Sequence, residues 1–128
     1  MHVPDTNEII SINKSILEEF PQKKADRHHV LSHAKIAIAV QHANEHQEPY
    51  AVAAELLVQL VRAHAFASGN KRTSFFCARN VLASVGAPFK ILDKAENARI
   101  LIGVREGFYN QTDIEKWLRT GVIHEFTR

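Results

Sequence analysis

The sequence is poor in the residues that break helices and cross-link chains. It has five glycines and four prolines in 128 residues, about 7% where ~12% is usual. That scarcity argues against disorder and against a turn-rich all-β chain. A single cysteine forbids an intrachain disulfide and suits a reducing compartment. Charge of one sign is lacking too: 16 Lys and Arg against 14 Asp and Glu leave a net +2, too even a balance for a polybasic nucleic-acid or membrane binder. No apolar run approaches the ~18 residues of a membrane span. The longest, Ala51 to Val61, is interrupted by Glu55 and Gln59. Asp5 and Glu8 stand where a secretory signal needs apolar residues. Together these absences predict a cytoplasmic protein with no nucleic-acid and no membrane partner, and the length fits one domain, 1–128.

What the chain does have is alanine, with 16 residues, and alanine is the strongest helix former. Helix signals recur and are well punctuated. Asp5 with Glu8 forms a capping-box pattern ahead of Ile9, Ile12, Ile16 and Phe20, and Pro21 ends that helix. After a polar link, Gln22 to Ala25, Asp26 can cap a second helix to about Glu45, with Val30, Ala34, Ala37 and Val40 on one stripe. A third helix runs from about Tyr50 to Phe66, its stripe Leu57, Leu60, Val61 and His64. A fourth spans roughly Asn70 to Val85, with Phe75, Ala78, Leu82 and Val85 as its seam and Gly86 past its end. Pro88 to Leu92 reads as extended. Asp93 with Glu96 opens a fifth helix, and Thr112 with Glu115 a sixth that buries Trp117 and Leu118 and closes at Gly121. The expected fold is all-α, a compact bundle of about six helices.

One segment breaks a local rule. In His64-Ala-Phe-Ala-Ser-Gly-Asn-Lys-Arg72, a Gly-Asn turn leaves the free amides of the next helix pointing outward, which makes an anion site. Lys71 and Arg72 fall in the first turn of that helix. Cations there each cost a few tenths to about 1 kcal/mol against the dipole. A docked phosphate offsets this, since each charge-assisted hydrogen bond contributes roughly 1.5–3 kcal/mol. The plainer alternative is that both cations pair with surface carboxylates. His64 ends the buried stripe of the third helix, beside the expected anion site, where a group titrating near neutrality can serve a hydroxyl nucleophile as general base. A core or capping histidine is the competing reading. Phe66 reads as an anchor that buries the turn.

This segment resembles the shared motif of the Fic/Doc proteins, H-x-F-x-[D/E]-G-N-[G/K]-R at a helix–turn–helix junction. His64, Phe66, Gly69, Asn70, Lys71 and Arg72 supply six of its positions. Lys71 in place of a second glycine, followed by Thr73-Ser74, is similar to the Doc branch. Typical Fic proteins carry another arginine where this chain has Phe75. The resemblance is good over roughly Pro49 to Leu92 and poor over residues 21 to 48.

The resemblance implies catalytic roles for His64, as base toward a Ser or Thr hydroxyl, and for Arg72, which neutralises charge on the phosphates. It implies phosphate binding by Gly69, Asn70, Lys71 and Arg72. It implies ATP as donor, with the Doc lysine associated with transfer of the γ-phosphate and the glycine of other members with transfer of AMP. It implies a protein target, a translation elongation factor in Doc itself, and a partner antitoxin. It also implies Mg²⁺, but Ser68 stands where the family places the metal-binding Asp or Glu. A serine hydroxyl ligates Mg²⁺ without bringing negative charge, which implies weak metal affinity, a different donor, or a non-catalytic binding module that keeps the anion pocket. The inhibitory-helix pattern of Fic proteins is not met: Ser15 to Glu19 is followed by Phe20, and Glu106-Gly107 has Ile102 where a Ser or Thr belongs.

The remaining chemistry-bearing residues read as structural. His29 and His33, near His28, and His42 and His46 are spaced i, i+4, but two ligands without a third make a weak metal site. Cys77 reads as a small buried apolar group.

Overall fold

The third helix is apolar on nearly every side, and a helix of that kind belongs in an interior. The computed structural model of the protein, which describes residues 1–19, 28–92 and 94–127, puts it there. Among these residues are six helices and no strand: α1 (Thr6–Glu19), α2 (His33–Asn44), α3 (Pro49–Ala63), α4 (Asn70–Ser84), α5 (Asn97–Arg105) and α6 (Gln111–Thr120). The expected all-α architecture is the observed one. Helix α3 packs against α2, α4, α5 and α6, while α1 lies on α4 and α2. Val52, Leu56 and Leu57 of α3 have no exposed surface, and truncating such a leucine costs about 2–5 kcal/mol. No described helix is long and apolar enough to cross a membrane.

Caps decide where most helices begin. The Asp5–Glu8 box forms as expected: Glu8 N donates to Asp5 Oδ1 at 2.8 Å and Asp5 N to Glu8 Oε1 at 3.2 Å. Ile9 and Ile16 are buried behind it; Phe20, Pro21, the polar link and Asp26 lie outside the described residues. At α6 the box is two residues earlier than expected. Asn110 and Asp113 cap each other's backbone, because the asparagine side chain can reach the amide at the third helical position from an extended backbone. Helix α5 starts at Asn97 with no side-chain bond from its cap Glu96, and Asp93 lies outside the described residues.

The second helix departs most from expectation. It starts at His33, where Ser32 Oγ accepts from Lys35 N at 3.2 Å. Its buried face is Ile36, Ala39 and Ala43, while Ala34 and Ala37 are exposed. The reason lies just ahead of it. Residues 28–32 pair with the chain leaving α3: Leu31 N donates to Ala65 O at 2.7 Å, Ala67 N to His29 O at 3.0 Å, and Val30 bridges Phe66. A backbone used in this way is not helical, so His29 and His33 share no helix face. Among the described residues no group of three or more His, Cys, Asp or Glu could hold a metal ion.

In α4, Phe75, Cys77, Ala78 and Leu82 are buried as expected, but Val85 is exposed. The unassigned tail closes the other end of the molecule. Phe126 is buried beside Tyr109, whose hydroxyl donates to His124 O at 2.6 Å. Arg62 fastens the same region to α3 by donating to the carbonyls of Val104 at 3.1 Å and Tyr109 at 2.8 Å.

Candidate functional site

The turn between α3 and α4 is built from two left-handed residues. His64, the C-cap of α3, has φ 47 and ψ 51. It is the one non-glycine residue with positive φ among those described. An L residue there costs about 1–2 kcal/mol, and such strain clusters at functional sites. Gly69, the N-cap of α4, has φ 76. It is also a close-approach glycine, since a Cβ there would lie 3.2 Å from Asn13 Nδ2 and 3.2 Å from Leu17 Cδ2.

Between them, Asn70 ties the turn to itself. Its Oδ1 accepts from Phe66 N at 3.0 Å, and its Nδ2 donates to Phe66 O at 2.8 Å. With the amide so oriented, the second Nδ2 proton faces His64 Nδ1 at 3.3 Å. The Asn70 side chain is thus committed to the turn, which leaves its backbone N–H at the start of α4 as the group it can offer to the cavity. His64 is placed differently from expectation: it is exposed, because the left-handed cap swings it off the buried stripe of α3.

Two residues that the motif did not disclose hold the turn from below. Asn13 of α1 is fully buried, and its Nδ2 donates to Ser68 O at 2.9 Å and to Thr73 Oγ1 at 3.0 Å. His28 Nδ1 meets Asn13 Oδ1 at 2.8 Å. A polar residue between Ile9 and Ile16 on an apolar stripe was the available signal for Asn13. Ser74 Oγ donates to Asn70 O at 2.6 Å, so Thr73 and Ser74 both serve the turn's scaffold.

Gly69 offers α4 no side-chain cap, and the first turn of α4 holds no acid. Lys71 and Arg72 therefore stand at the positive end of the dipole, as expected. The turn opens onto a cavity of about 540 Å³, a size usual for small-molecule sites. His64, Ser68, Gly69, Asn70, Lys71 and Arg72 all line it, so the predicted site residues share one space. The far wall, not foreseen from sequence, is α5 and the residues before it: Lys94, Ala98, Leu101 and Arg105. Phe75, in the place of the second Fic arginine, also lines it. Burial pushes the Lys71 ammonium below its ordinary value, and the Arg105 guanidinium across the cavity adds to the shift.

The described lining includes no carboxylate. Mg²⁺ is usually held by one or two carboxylates with phosphates. A serine at position 68 among four Lys and Arg side chains does not make such a site.

An all-helical frame, a left-handed histidine and an uncapped basic helix start thus meet on one cavity. The chain belongs to the Fic/DOC family, whose model matches residues 4–82. The match includes residues 21 to 48, where the resemblance was expected to be poor. No curated protein matches the chain. The Fic/DOC family generally includes enzymes that modify proteins by nucleotide transfer.

Proposed function

We propose that this chain transfers the γ-phosphate of ATP to a Ser or Thr hydroxyl of a protein target, as a Doc-like toxin does. The observation that carries the reading is that the His64 imidazole, the start of α4 and the Lys71–Arg72 pair all line one cavity. The target hydroxyl gives its proton to His64 as its oxygen bonds to the γ-phosphorus. The bond from that phosphorus to the bridging oxygen breaks, and ADP leaves. Backbone N–H groups at Gly69 and Asn70 and the cations of Lys71 and Arg72 hold the negative charge, and such positioning carries most of phosphoryl-transfer catalysis. Lys71 in place of glycine is what favours γ-phosphate over AMP.

Because Asn70 donates to His64 Nδ1, neutral His64 carries its proton on Nε2 at rest. Acting as base at Nε2 requires the other tautomer and the loss of that bond. At 3.3 Å it is a long one, and its loss costs about 1 kcal/mol, small against the 10²–10⁴-fold that a general base supplies.

A second reading is favoured by Ser68: a binding module that keeps the anion cavity without catalysis. Expression of the wild type and of His64→Ala separates the two. Growth arrest and transfer of label from γ-labelled ATP, both lost in His64→Ala, support the phosphotransferase. Label transferred from the α position shows AMP transfer instead. A phenotype untouched by His64→Ala supports the binding module.

A further inference from the structure

We infer that the cavity binds the polyphosphate of its nucleotide without a divalent cation, Lys94 and Arg105 on the α5 wall supplying the positive charge that a metal would bring. This rests on the reading of the cavity as a nucleotide site. Positions 98, 101 and 105 recur at spacings of three and four, the repeat of one face of α5, and Lys94 lies in the segment just ahead of that helix. All four line the cavity, with the small Ala98 between the two cations. They face Lys71 and Arg72 on the opposite wall.

None of Lys71, Lys94 and Arg105 forms an ion pair with a described residue. Like charges gathered around a partly desolvated space repel one another; the Lys71 ammonium is lowered first by its burial and further by the Arg105 guanidinium. The same field that disfavours these cations disfavours Mg²⁺ and favours a multiply charged anion. Lys94 and Arg105 lie beyond the residues 4–82 that match the family, so the family match does not account for them. With Ser68 in the acid's place, the change in charge is consistent: negative charge is missing from one wall and positive charge is present on the other.

Calorimetric titration of the full chain with ATP, in EDTA and in excess Mg²⁺, tests this. The expected result is binding in EDTA at least as tight as in Mg²⁺. The double variant Lys94→Gln, Arg105→Gln should bind about tenfold more weakly in EDTA, with an unchanged circular dichroism spectrum. Arg105→Lys, which keeps the charge, should retain binding. If ATP binds only with Mg²⁺, the inference is overturned and the nucleotide reading stands. If EDTA binding is untouched by the double variant, the role given to α5 is overturned. If ATP binds under neither condition, the nucleotide reading itself fails.

Discussion

Asn70 Nδ2 lies 3.3 Å from His64 Nδ1, and this one contact joins the scaffold of the turn to the imidazole proposed as the base. The amide cannot turn around, because its oxygen and its other proton are both held by the Phe66 backbone. Asn70 therefore fixes the ring's position and its resting tautomer together.

His64 pays for its position with a left-handed backbone, which sets stability against function. In His64→Gly the strain is relieved, while the exposed ring and its long bond from Asn70 are lost. Relief of about 1–2 kcal/mol of strain offsets about 1 kcal/mol for the lost bond, so urea unfolding should show a variant at least as stable as the wild type, while label transfer from ATP falls at least ~100-fold. A variant less stable than the wild type would contradict the strain assigned to His64.

Asn13→Leu removes the donor beneath the turn. It takes away the hydrogen bonds to Ser68 O and to the buried Thr73 Oγ1 and removes the Asn13 Oδ1 that His28 meets. Each buried group left unsatisfied costs about 1–3 kcal/mol. Chemical denaturation should show a loss of several kcal/mol, and ATP affinity should drop, though Asn13 does not line the cavity. Unchanged affinity would mean that the turn holds its shape without α1.

Ser68→Asp restores a carboxylate to the cavity. In calorimetry the variant should bind ATP more tightly when Mg²⁺ is added, and more weakly than wild type in EDTA, where the new charge repels phosphate. No response to Mg²⁺ would place Ser68 away from the metal position.

Gly103 lies far from the motif, yet it is the least replaceable glycine sterically. A Cβ there would lie 2.6 Å from Tyr109 Cε2, 2.7 Å from Cδ2 and 3.2 Å from Phe126 Cγ. Both rings are buried and neither can swing aside. Gly103→Ala should lower the unfolding free energy by about 1–3 kcal/mol, visible as a reduced thermal midpoint.

Burial pushes the Cys77 thiol from an ordinary 9.0 up to about 12. A raised folded value favours the protonated form, so its stabilising contribution is complete below pH 9 and fades as pH rises toward 12. Unfolding curves between those limits should fall less steeply with pH for Cys77→Ala than for wild type. Parallel curves would mean that the thiol is not buried in solution.

Much of this protein is local and therefore legible in its sequence. The Asp5–Glu8 box, the Leu57, Leu60 and Val61 stripe of α3, most of the seam of α4 and the Gly-Asn turn all act within a few residues, where periodicity and capping chemistry operate. Caps with near-equivalent rivals, such as Asn110–Asp113 against Thr112–Glu115, are separated only by which backbone is extended. The family motif, too, was readable, because its spacing reflects one turn between two helices.

Tertiary structure decided the rest. Residues 28–32 are not helical because they pair with residues 65–67, a choice no local pattern encodes. The exposure of His64 follows from a left-handed cap held by the turn's own hydrogen bonds. The basic wall at Lys94 and Arg105 exists only because α5 packs on α3 and turns one face toward the start of α4. Charge that looks balanced in the composition becomes a concentrated positive field once folding brings those side chains around a single cavity.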